Sequence, residues 1–167
     1  MQMSDTRQIA ATPAQVYAAL LDPQMLKQCV PGAQEVEGSP EEGFVATVVQ
    51  KVGPVKATFK GEVTITDMVP DTSLRIDGAG KGGAAGFAKG GADVRLTASE
   101  TGCELSYDVE AKVGGKLAQL GSRIIDGFAK KMADQFFNNL QETLEGPKEA
   151  DADEAGEKKS WFGRTKS

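Results

Sequence analysis

Glycines 78, 80 and 83 in the run Gly78-Ala79-Gly80-Lys81-Gly82-Gly83 fit the spacing G-x-G-x-x-G, in which bare backbone amides approach a dinucleotide pyrophosphate. That chemistry needs a helix directly afterwards, with its N-terminus facing the phosphates. Ala84-Ala85-Gly86-Phe87-Ala88-Lys89-Gly90-Gly91 follows instead, too rich in glycine for a stable helix, and no strand–helix–strand unit surrounds it. The run therefore reads as a flexible hairpin with bulges, compatible with a mobile lip over a cavity. Gly115-Lys116 resembles the end of a phosphate loop, but Leu117 stands where Ser or Thr would hold magnesium. Glu104, Asp108 and Glu110 offer carboxylates, yet they share one face of a strand whose other face is apolar, the pattern of a solvated outer surface.

The chain has no histidine, which removes the commonest general base and the commonest transition-metal ligand. Cys29 and Cys103 stand in different elements and form no metal-type cluster; two incidental or buried thiols in a reducing cytoplasm is the simplest reading, with a disulfide left open. No cofactor and no metal are expected. The net charge of −5 argues against nucleic acid, which selects a basic face. No run approaches the roughly 18 apolar residues of a membrane span, and the N-terminus has neither basic nor apolar signal regions, so the expected compartment is the cytoplasm.

The elements that must position any site follow from periodicity. Residues 3–10 alternate weakly, as a first strand. Thr12-Pro13 and Asp22-Pro23 each pair an N-cap with proline at the first helical position, giving a helix from Pro13 to about Leu21 and a second, shorter one that Pro31-Gly32 ends. From Ala33 the period changes to alternation. Phe44–Val52 is apolar on both faces, as in a central strand, and Gly53-Pro54 turns out of it. Val55–Met68 puts Val55, Ala57, Phe59, Val63 and Ile65 on one face and Lys56, Thr58, Lys60, Glu62 and Thr64 on the other. Shorter alternations run through Leu74 and Ile76, Val94 and Leu96, and Leu105, Tyr107 and Val109. Leu117, Leu120, Ile124, Phe128, Met132, Phe136, Leu140 and Leu144 then recur at helical spacing until Gly146-Pro147, which predicts one helix roughly 45 Å long. Strands grouped together with helices at the ends predict an α+β fold: a curved antiparallel sheet wrapped around a long C-terminal helix, with two short helices after the first strand.

A long apolar stripe facing a concave sheet has two readings. Plain core packing accounts for most of it. The sharper reading is a ligand cavity, with Val48, Phe59, Phe87, Tyr107, Leu120, Ile124 and Phe128 as candidate lining. Beyond the 1–145 domain, residues 146–157 are acidic and poor in large apolar groups, the composition of disorder. The end then sets Trp161 and Phe162 among Lys158, Lys159, Arg164 and Lys166: either a polar tail with incidental aromatics, or a weak anchor on membrane or partner.

Several stretches carry a resemblance. Leu21-Asp22-Pro23, Cys29-Val30-Pro31-Gly32-Ala33, Gly53-Pro54 with Phe59-Lys60-Gly61, Lys89-Gly90, Val113 to Asp126 and Ala133-Asp134-Gln135-Phe136-Phe137 resemble, in order over about residues 4–145, the carbon monoxide dehydrogenase G-subunit family. That family lies within the helix-grip (START-like) superfamily of lipid-transfer and pollen-allergen domains. The resemblance implies a non-catalytic accessory protein beside a molybdenum hydroxylase-type dehydrogenase. It further implies a quinone or other lipid-like molecule in the cavity, and recruitment of the enzyme to the inner membrane. The acidic spacer in the tail departs from members that end in a more hydrophobic anchor. Two alternatives come with the fold. One is an enzyme for an aromatic or polyketide-like substrate, with Tyr107 or a buried acid as proton donor; the other is an adaptor with a filled core.

Overall fold

Residues 1–145 are described by a computed structural model. The first strand, β1 (Gln2–Ile9), leads to α1 (Pro13–Leu20) and α2 (Pro23–Cys29). Both helices start by the expected caps. Thr12 Oγ1 accepts the Gln15 amide at 3.1 Å while the Thr12 amide donates to Gln15 Oε1 at 2.9 Å. Asp22 Oδ1 accepts the Gln24 amide at 2.9 Å.

Six further strands follow: β2 (Ala33–Ser39), β3 (Gly43–Val52), β4 (Val55–Val69), β5 (Ser73–Lys81), β6 (Phe87–Ser99) and β7 (Gly102–Gly114). They close an α+β architecture in which a seven-stranded antiparallel sheet, ordered β1-β7-β6-β5-β4-β3-β2, curves around the terminal helix. The glycine-rich stretch departs from the expected bulged hairpin. β5 and β6 pair without a register shift from Ser73↔Arg95 to Lys81↔Phe87, because backbone groups of two central strands must find partners. The bulges lie elsewhere, between Ala33 and Glu35 and between Thr66 and Val69.

The terminal helix is also divided. A single turn, α3 (Lys116–Gln119), precedes α4 (Ser122–Glu145), whose 24 residues span about 36 Å. Gly121 stands between them at φ +90°, a backbone conformation that ends a helix and that only glycine adopts readily. The second half of α4 packs into the filled end of the fold. Leu140, Ile9, Val16, Leu105, Cys29 and Cys103 are completely buried there, with Phe44, Leu74, Val94, Leu96 and Tyr107 around them. Both cysteines are free, and burial pushes their thiols up, so neither is a ready nucleophile.

One latch ties β1 to α4. Arg7 Nη2 meets Asp134 Oδ1 at 2.6 Å, and Lys130 Nζ reaches Asp134 Oδ2 at 3.2 Å. The Lys130 bond, aided by the charge of Arg7, holds the Asp134 carboxyl below its ordinary value of 3.8. A depressed acid contributes stability that is present above its unfolded value and is lost as pH falls through the folded value. Thermal midpoints are therefore expected to drop as pH falls below about 3.8, with a shallower drop in Asp134→Asn. Identical acid profiles for the two proteins would remove the latch from the account.

Candidate functional site

The cavity follows from reading the register across the concave face. At the filled end the inward residues form the row Leu74–Val94–Tyr107, then Ile65–Ile76–Ala92–Val109–Met3. One step further along the strands the row is Phe44–Val63–Gly78–Gly90–Ala111, and the next is Ala46–Gly61–Gly80–Ala88–Val113. Large side chains give way to glycine and alanine across the central strands, so α4 has nothing to rest on there. At Gly90 the backbone enforces glycine, since a Cβ would lie 2.3 Å from the Glu110 carbonyl oxygen. Gly78 is different: its Cβ would sit in ordinary contact, 3.6 Å from its nearest neighbours. Sterics would admit a side chain there, and the sequence leaves the space open.

The result is an apolar cavity of about 460 Å³ between sheet and α4, within the usual range for small-molecule sites. From the sheet it is lined by Met3, Val48, Val52, Phe59, Ala88, Val109, Ala111 and Val113; from the helices by Leu117, Ile125, Phe128, Ala129, Met132, Ala133 and Phe136. Among the described residues Gln50 is the sole polar side chain in the lining, and its Nε2 donates to the Pro31 carbonyl. A further space of about 330 Å³ lies over Gly78, Gly80 and Gly90 and shares Ala88, Val109 and Ala111 with the main cavity. A third, about 340 Å³, shares Val113 and Ile125 and lies beside Lys112 and Gly121. Among the described residues the lining of the main cavity holds no carboxylate, lysine or tyrosine side chain; besides Gln50 its one polar contributor is the Met1 terminus, whose amino group donates to the Ala111 carbonyl at 3.1 Å.

The structure brings Val48, Phe59 and Phe128 together in this lining and places the other candidates elsewhere. Tyr107 faces inward but belongs to the filled end, its ring stacked on Phe137 at 5.1 Å, and burial pushes its hydroxyl pKa up. Phe87 faces outward and covers Gly114, where an added Cβ would meet its ring at 2.2 Å. Leu120 and Ile124 sit at the α3–α4 elbow against the Gly53 turn, with Ile124 42% exposed. Ile125, not Ile124, points into the cavity: both lie in the one helix α4, and a step of four residues back from Phe128 and Met132 drifts off the inward face at 3.6 residues per turn. The docking candidates Lys158, Lys159, Trp161, Phe162 and Arg164 lie outside the described residues.

A wider trough of about 650 Å³ lies on the outer face. Its centre is Arg75, already engaged by Asp77 at 3.1 Å, Asp93 at 3.1 Å and Glu110 at 2.6 Å. The Glu110 and Asp77 bonds push its pKa further up, so the guanidinium is charged and saturated. Gly91 leaves room for it, since a Cβ would lie 2.2 Å from Arg75 Nη2. Asp108, in the neighbouring pair, is held below the usual carboxylate value by Ser4 and then by Arg95. In the acidic row Asp108 and Glu110 are thus ion-paired on the outer surface, and Glu104 accepts Gln8 Nε2 at 3.1 Å.

A family model described as the G subunit of carbon monoxide dehydrogenase (CoxG) matches residues 6–145. No curated protein matches the chain. Among solved structures, a conserved protein from Geobacillus kaustophilus is 27% identical with a TM-score of 0.80, covering 87% of this chain and 95% of its own. A Chromobacterium violaceum protein is 20% identical at TM-score 0.63, covering 87% of this chain and 99% of that one. A Rhizobium leguminosarum protein is 17% identical at TM-score 0.67, covering 87% and 94%. These last two share the fold.

Proposed function

The chain belongs to the CoxG family of carbon monoxide dehydrogenase accessory proteins, and from that premise we propose that it is a non-catalytic carrier and tether. On this reading the cavity under α4 holds a hydrophobic molecule, a quinone or another lipid-like compound. The protein helps bring a molybdenum-containing carbon monoxide dehydrogenase-type enzyme to the inner face of the cell membrane. The observation that carries the reading is the cavity itself: about 460 Å³, between the sheet and the first half of α4, with Gln50 as the single polar side chain in its lining among the described residues. The family is named for an accessory subunit, which fits a lining with no acidic or basic side chain among the described residues. Among the described residues no helix is long and apolar enough to cross a membrane, and the reading asks only for peripheral attachment.

Native mass spectrometry of the gently purified full chain, followed by solvent extraction, tests the first half. The expected result is one lipophilic adduct per chain, lost on extraction and restored by adding a quinone. A chain that is empty in every preparation and takes up no added quinone would count decisively against a carrier. Co-purification of dehydrogenase subunits with the tagged full chain tests the second half.

A further inference from the structure

We propose that the end of the fold formed by the β3–β4 and β5–β6 turns and the α3–α4 elbow docks directly onto an anionic lipid bilayer, through lysine rows on the folded domain itself. The antiparallel register gathers at this end the β3–β4 turn, the β5–β6 turn, the end of β7 and the α3–α4 elbow. On the outer face it sets Lys51 opposite Lys56, Lys60 opposite Lys81, and Lys89 opposite Lys112. All are exposed, and none is ion-paired among the described residues. Directly opposed like charges oppose strand pairing, so a sheet gains nothing internally from three such pairs. Lys116 and Arg123 extend the same basic end through the elbow.

Composition does not explain the clustering, because the chain as a whole carries a net charge of −5. The turns at the opposite end carry Glu41, Glu42, Asp71 and Glu100. The molecule is therefore polarised along its strands, basic at one end and acidic at the other, which orients it towards an anionic surface. The apolar groups fit the same partner. Phe87 is 44% exposed and Ile124 42%, and both stand at the lysine-bearing end. The cavity shares Val113 and Ile125 with the space beside Lys112 and Gly121, at that same end. A bilayer offers anionic headgroups to the lysines and, directly beneath them, an apolar phase to Phe87 and Ile124. The choice of a bilayer rests on the carrier reading above; the polarity of the fold does not.

The test uses the full chain and vesicles of phosphatidylcholine with and without phosphatidylglycerol, free of quinone. The wild type is expected to sediment with the anionic vesicles only, and to be released by salt. The combined variant Lys51→Gln, Lys60→Gln, Lys81→Gln, Lys89→Gln is expected to bind them roughly a hundredfold more weakly, since each basic group near the surface adds attraction. Its thermal midpoint should be unchanged or higher, because like-charge repulsion is relieved. Trp161→Ala with Phe162→Ala is expected to leave most of the binding in place. Undiminished binding by the lysine variant would overturn the proposal. So would equal binding to neutral vesicles, dependence on Trp161 and Phe162 alone, or no vesicle binding at all. A cavity that proves empty while anionic vesicles are still bound would sink the carrier reading and leave this one standing.

Discussion

Ala88→Phe is expected to abolish ligand retention while leaving the protein as stable as the wild type, or more so. Ala88 points inward from β6 and lines the cavity, in a row whose other members are Ala46, Gly61, Gly80 and Val113. In a filled core, inserting a benzyl group would force side chains off their rotamers and cost about 1–3 kcal/mol. Over an open space, the same group gains burial worth roughly 1.5–3 kcal/mol. The two readings of the apolar stripe thus assign opposite signs to one substitution. For the ligand the direction is fixed: the new ring occupies volume that an apolar guest would need. A hundredfold loss of affinity, about 2.7 kcal/mol, is the least expected. Chemical denaturation and native mass spectrometry on the same sample read both quantities. A variant destabilised by more than about 1 kcal/mol that still carries its lipid would return the space to ordinary packing.

How far the sequence discloses this site depends on which coordinate is asked for. Which face a residue takes is legible. The alternation in Val55–Met68 places Phe59 inward, and the alternation around Tyr107 places that ring inward too. How far along the strand the residue lies relative to the filled end is not legible, because it depends on cross-strand register. Tyr107 and Ala111 share a face of β7, yet Tyr107 aligns with Val94 and Ala111 with Gly90, and only the second pair leaves a void. Phase is lost wherever glycine resets the backbone. Gly86 at φ +110° follows a single 3₁₀ turn and leaves Phe87 facing outward. Within α4 a four-residue step drifts against the 3.6-residue turn, so the inward position is Ile125 and not Ile124. The glycine-rich run held a readable signal of another kind. Gly78, Gly80, Ala88 and Gly90 all fall at even positions, the inward parity of β5 and β6, so the run marks the bare floor of the cavity. The caps at Thr12 and Asp22 were readable because they are local, needing only neighbours two or three residues away.

The largest loss of stability is expected from Phe137→Ala. A stripe advancing four residues at a time selects Phe136, but 3.6 residues per turn drifts across that stripe and gives the two phenylalanines different tasks. Phe136 lines the cavity, whereas Phe137 is buried in the filled end. Its ring stacks on Tyr107 at 5.1 Å and 12°, takes the edge of Phe136 at 5.0 Å and 86°, and lies 5.5 Å beneath the Arg7 guanidinium. Removing it deletes a packed aromatic side chain and leaves Arg7 without the surface that supports its bond to Asp134. Phenylalanine-to-alanine changes in cores cost about 3–5 kcal/mol, against a total of about 5–15 kcal/mol for a domain. The thermal midpoint should fall by on the order of 10 °C or more. Phe136→Ala supplies the comparison, since one side of that ring already faces empty space and fewer contacts disappear. It should cost clearly less and enlarge the cavity instead. Equal losses in the two variants would mean that α4 packs uniformly along its length, and the division between a filled end and an open end would fail with it.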